Sequence, residues 1–95
     1  MFDRLVDEAA ADRALARLKA DGVVRGAIVA WLGPNSWDMI ADLVACERLG
    51  AVLLPLNGRL ALPELAQIAR HAGAGHLVAA PEVRQPAEAL RAALD

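Results

Sequence analysis

Tyrosine is absent from this 95-residue chain, phenylalanine occurs once and tryptophan twice. So few aromatic rings leave no platform on which the bases of a single strand could stack. Only one of the ten basic side chains is a lysine, Lys19, and the formal net charge is −2. Neither a basic nucleic-acid groove nor a polybasic membrane patch is expected from that balance. The single cysteine, Cys46, cannot close an internal disulfide, and nothing in the sequence calls for an oxidising compartment. Apolar runs are short, the longest being Ala27–Leu32 and Ala51–Leu56, far below the ~20 residues of a membrane-spanning helix. The first twenty residues are charged throughout, without the basic start and apolar stretch of a secretory signal. A cytoplasmic globular domain is the expectation that remains.

What the chain does have is apolar character. Hydrophobic residues make up 57% of it, which excludes intrinsic disorder. A chain of this length buries roughly 60–65% of its unfolded surface, enough for one modest core. Alanine occurs 22 times and arginine outnumbers lysine nine to one, a bias that reads as a GC-rich bacterial gene. Residues 1–95 are therefore expected to form a single domain.

Periodicity organises the chain into alternating helices and strands. Leu5–Ala20 reads as a helix with Ala11, Ala14, Leu15 and Leu18 on one face, stopped by Gly22. The unbroken apolar run Ala27–Leu32 is too short for a helix and has the signature of a strand buried on both faces. Gly33-Pro34-Asn35-Ser36 breaks the chain, and Asn35 or Ser36 can cap the next helix, Trp37–Leu49. That helix is apolar around most of its circumference. Ala51–Leu54 repeats the buried-strand signature and is closed by Pro55, with Leu56–Arg59 as a turn. Leu62–Ala72 is a helix with Pro63 in its first turn and Gly73 at its end. His76–Ala80 is a third strand, Pro81–Pro86 a loop and Ala87–Leu94 a last helix. Strands that alternate with helices, each strand continuously apolar, predict an α/β fold. The expected architecture is three layers, a parallel sheet of about three strands with helices on both faces.

In an open parallel sheet, ligands sit beyond the carboxyl ends of the strands. The topology therefore puts Asn35, Ser36, Asn57, Arg59, Glu82 and Arg84 on one rim. Asn35, Ser36 and Asn57 are residue types that caps and turns favour, and that is the simpler role for them. A phosphate loop would end in Gly-Lys-Ser/Thr, but Lys19 lies in the first helix, and Gly73-Ala74-Gly75 precedes a strand instead of following one. His71 and His76 lack partners at metal-ligand spacing, so no metal site is expected. Cys46, inside an apolar helix, reads as a packed core thiol. No catalytic residue can be assigned.

Several segments resemble one family in unbroken register over roughly residues 5–80. Leu5–Ala10 and Leu15–Val23 are similar to the opening helix of adenylate-forming enzymes, and Val29–Ser36 to the strand and turn after it. Ala45–Val52, Pro55-Leu56-Asn57, Arg59-Leu60 and Pro63-Glu64-Leu65 follow the family's "AxxRLGAVxxPLNxRLxPxEL" pattern, and His71–Ala74 with Leu77-Val78 the segment beyond it. The family is the AMP-dependent synthetases and ligases, which includes acyl-CoA synthetases. Departures are Gly33, where members usually carry an apolar residue, Gly58, where proline is frequent, and Arg25-Gly26-Ala27 in place of Pro-Gly-Asp.

The resemblance implies an incomplete piece of the N-terminal domain of an acid–CoA ligase. Such a ligase forms an acyl-adenylate from ATP and then a thioester, in the setting of fatty acid metabolism. ATP, Mg²⁺ and CoA are implied for that parent enzyme and none for this chain by itself. The family's phosphate loop ending in Pro-Lys-Gly, its aromatic-Gly-x-Thr-Glu motif, its ribose-binding Asp and its C-terminal lysine do not occur here. The chain alone is therefore expected to be inactive. The resemblance also implies a contact from Arg84 to a phosphate of CoA. Expected partners are the remainder of the ligase domain, or a second copy joined through the apolar helix Trp37–Leu49 and an open sheet edge. A stand-alone binding module and one subunit of a split ligase are the competing readings.

Overall fold

A computed structural model describes residues 7–94. Its elements are α1 (Glu8–Ala20), β1 (Ile28–Leu32), α2 (Trp37–Leu49), β2 (Val52–Leu56), α3 (Leu62–Ala72), β3 (His76–Ala79), a one-turn 3₁₀ helix (Pro81–Val83) and α4 (Arg84–Leu94). Leu5 and Val6, expected in the first helix, lie outside the described residues. The start of α1 is fixed by Asp7, whose carboxylate accepts the Ala9 N–H at 3.2 Å. The end of α2 is fixed by Gly50, which takes the left-handed conformation (φ +77°) that a side chain would resist.

The three strands are parallel, in the order β2-β1-β3. The chain moves from β1 to β2 in one direction and from β2 past β1 to β3 in the other. Two crossovers of the same hand that run in opposite directions place their helices on opposite faces. That is the arrangement here. Ala11, Ala14 and Leu18 of α1 pack with Ala41, Val44, Ala45 and Cys46 of α2 over Val29 and Trp31 of β1. On the other face, Leu65 and Ala66 of α3 and Ala87 and Leu90 of α4 cover Ala30, Leu32 and Leu56. The three-layer α/β fold expected from the sequence is the one observed.

Three local expectations need correction. β2 does not stop at Pro55 but runs through it to Leu56. Val52 donates to Ala27 O at 2.8 Å, so alternation turns the nitrogen of Pro55 away from β1, where no ladder bond is lost. Pro81–Pro86 is not a loop: a 3₁₀ turn leads into α4 at Arg84, and Pro86 falls in the first helical turn, where a missing N–H costs nothing. The broad apolar surface of α2 is not an open face, because α1 covers one side and the sheet another. Trp37 is its one large apolar side chain left exposed.

Candidate functional site

The carboxyl rim is built by the segments that leave the three strands. The chain reverses around β1, so the rule for open α/β sheets directs attention to the crevice at the carboxyl ends of β1 and its neighbours. A cavity of about 380 Å³ opens there, walled by Leu32, Leu60, Leu62, Leu65, Val83 and Pro86. Arg59 is the charged side chain on its wall. One guanidinium among aliphatic walls suits an apolar group with a single negative charge. It does not fit a magnesium-bound triphosphate, and no step through ATP is assigned to this chain.

Gly33 shapes this rim. Its φ is +155°, and a Cβ there would lie 2.8 Å from the Cβ of Ala80 and 3.1 Å from Cζ2 of Trp31. The ends of β1 and β3 approach so closely that only hydrogen fits. The family departure at this position is thus a packing requirement. Gly58 has open space around its Cα, which is compatible with a loosened turn.

The polar rim residues take the simpler roles. Ser36 Oγ accepts the Met39 N–H at 3.3 Å and caps α2. Asn57 Oδ1 accepts the Arg59 N–H at 3.0 Å and sets the turn after β2. Asn35 and Glu82 are exposed. Arg84 is exposed as the first residue of α4, beside a separate cleft of about 270 Å³ that it shares with Pro81, Glu88 and Arg91. The helix stands between the Arg59 cavity and the Arg84 cleft, so the structure does not bring the two guanidiniums together. His71 is exposed and His76 half-buried at the start of β3. Among the described residues, no three His, Cys, Asp or Glu side chains form a metal-binding group.

One polar contact was invisible to sequence reading. Asp42, 3% exposed on α2, receives a hydrogen bond from Arg17 of α1, an ion pair between residues 25 positions apart. Burial raises the Asp42 pKa, and the adjacent Arg17 charge only partly opposes it. Burial also lifts the Cys46 thiol to about 11, with the Asp42 charge adding to the effect. Cys46 is therefore an unreactive core thiol at neutral pH. Nearby, the indole N–H of Trp31 is buried without a hydrogen-bond partner. The only signal in the sequence for this cluster was an aspartate within an otherwise apolar helix face.

A doubly wound α/β layer with a ligand-type crevice at its carboxyl rim is the class that the fold defines. Comparison narrows it. The model of the AMP-binding enzyme family matches residues 7–95. The chain is 43% identical over 83 residues to an indoleacetate–CoA ligase of Aromatoleum aromaticum, covering 87% of this chain and 16% of the relative. It is 44% identical over 75 residues to a feruloyl-CoA synthase of an Amycolatopsis species, covering 79% of this chain and 15% of the relative. Among solved structures, the inhibitor-bound N-terminal domain of FACL13 from Mycobacterium tuberculosis superposes with a TM-score of 0.81 at 34% identity, over 92% of this chain and 22% of that one. The chain belongs to the AMP-binding enzyme family and resembles the N-terminal part of its acid–CoA ligases. It spans about one sixth of the length of the curated relatives it matches.

Proposed function

We propose that this chain is the N-terminal scaffold segment of an ATP-dependent acid–CoA ligase and has no adenylation activity by itself. The observation that carries the reading is identity of 43% to an acid–CoA ligase over 83 residues, together with the matching three-layer fold. In the longer enzyme, ATP and Mg²⁺ would be held by other segments, because the rim cavity here is aliphatic with a single guanidinium. The same reading gives Arg84 the role of a contact to a CoA phosphate. Its guanidinium is exposed at the lip of a cleft, and its donor fork can engage two phosphate oxygens at once. The enzyme is placed in a bacterial cytoplasm, on the composition and the single cysteine.

The test is pyrophosphate release by the purified chain with ATP, Mg²⁺ and a panel of aromatic and fatty acids. No turnover above a protein-free blank is expected. Turnover that scales with protein concentration through purification would overturn the reading. For Arg84, the variant Arg84→Ala in a full-length ligase carrying this segment should raise the KM for CoA and leave adenylation unchanged. Equal losses in both half-reactions would make Arg84 structural.

A further inference from the structure

The central strand carries a buried donor without an acceptor. Trp31 lies in β1 between Pro55 and Val78 in register, and alternation along the strand turns it with Val29 to the α1/α2 side. It is 2% exposed, and its indole N–H, which can only donate, meets no acceptor among the described residues. Gly33 backs the ring: a Cβ there would lie 3.1 Å from Cζ2 of Trp31. The ring lines the cleft of about 270 Å³ whose helical walls carry Arg13 and Arg17 of α1 and Asp38 and Asp42 of α2. Ala14 and Ala41 stand between these charges and are small enough to let the cleft reach the strand. Asp42 is 3% exposed on the same wall, and Arg17 bonds its Oδ1. Among the described residues, no donor meets Oδ2. A donor that lacks an acceptor and an acceptor with spare capacity thus share one cleft. Buried polar groups left in that condition are costly.

We infer that this cleft is a binding site for one ordered water, which accepts from Trp31 Nε1 and donates to Asp42 Oδ2. The chemistry of the walls selects the ligand. A bridging group must accept on the strand side and donate on the helix side, and a water oxygen does both. A metal cation would face the indole N–H and two guanidiniums, and an anion would face the carboxylates of Asp38 and Asp42. A water takes about 30 Å³ of liquid volume, so the cleft holds it easily, and two fixed polar partners meet the usual minimum for such a site. The bridge links β1 to α2 beside the Arg17–Asp42 pair, so that strand, α1 and α2 are joined at one polar point. The burial of both groups is produced by α1, α2 and the strands themselves. Chain laid over the mouth of the cleft would enclose the water further and leave both partners in place. This inference does not depend on the ligase reading.

Two measurements on the full chain test it. A high-resolution crystal structure should show a water at about 2.7–3.2 Å from both Trp31 Nε1 and Asp42 Oδ2. In solution, paired NOE and ROE spectra should give the Trp31 indole N–H a dipolar cross-peak to water with the sign of long residence. The indole of Trp37, 63% exposed, should lack it. Trp37→Phe assigns the two indole signals. Asp42→Leu removes one of the two partners and should erase the Trp31 cross-peak while circular dichroism shows the fold kept. If Asp42→Leu fails to fold, the crystal structure of the unmodified chain decides. An indole that donates directly to a protein oxygen, or a buffer molecule or ion in the place of the water, would overturn the inference. So would a Trp31 signal no different from that of Trp37, or a Trp31 cross-peak that survives in folded Asp42→Leu.

Discussion

The two helical layers that cover this sheet are built to different standards. The α1/α2 layer is the more tightly packed: alanines at Ala11, Ala14, Ala41 and Ala45 let the helices approach, Leu18 and Val44 are fully buried, and the Arg17–Asp42 pair ties the two across the interface, with a cleft of about 270 Å³ beside it. The α3/α4 layer is open at its carboxyl end, where the cavity beside Arg59 separates Leu62 and Leu65 from Pro86. Leu62 and Ile68 of α3 remain partly exposed. Close packing on one face holds the sheet, while the other keeps an aliphatic cavity beside Arg59.

The comparison breaks most visibly if the tighter layer is cut. Leu18→Ala deletes a fully buried side chain and should cost about 3–5 kcal/mol. Leu65→Ala, buried at the cavity wall of the open layer, should cost less, about 2–3 kcal/mol, because its surroundings can relax into the cavity. Urea unfolding of the two variants checks this, and equal losses would mean that the layers do not differ. Next is Gly33→Ala, which forces a Cβ to 2.8 Å from Ala80 and should cost about 1–3 kcal/mol by backbone and contact strain.

The buried ion pair gives a pH signature. The folded-state pKa of Asp42 lies above its ordinary 3.8 because burial outweighs the attraction of Arg17. The folded state therefore favours the protonated carboxyl. The stability contributed by this group is complete below its ordinary value and is lost as the pH rises through the raised one. Asp42→Asn should lack that loss, so its stability relative to the unmodified chain should grow as the pH rises above 3.8. Arg17→Ala should raise the Asp42 pKa further and carry the loss to higher pH. Its own cost is about 1–3 kcal/mol, reduced from that of a fully buried pair because the Arg17 side chain is 48% exposed. Stability curves at a series of pH values measure both.

The smallest effect is on reactivity, not stability. With its thiol at about 11 and 1% exposed, Cys46 should react with iodoacetamide at neutral pH only as fast as the chain opens. Rapid labelling in native buffer would show the tighter layer to be loose.

Sequence reading located what local chemistry determines. α2 and α3 begin and end where expected because Ser36, Gly50, Pro63 and Gly73 are local signals. The start of α4 was placed three residues late, since Pro81 and Pro86 look like loop boundaries yet both fit the first turns of helices. β2 was cut short at Pro55 because its outer position, which makes proline harmless, is a property of the sheet. The need for glycine at 33 depends on Ala80, and the Asp42 environment on Arg17; both partners are distant in sequence. The rim was placed correctly, but whether Arg59 and Arg84 meet depended on where α4 begins.

The central claim, that this chain is the N-terminal scaffold segment of an acid–CoA ligase, is tested most directly by a chimera. Residues 7–94 would replace the matching segment of the indoleacetate–CoA ligase they resemble, and pyrophosphate release and thioester formation would be measured with several acids. The account expects a folded ligase that forms both adenylate and thioester. A chimera that folds but forms no adenylate would contradict it.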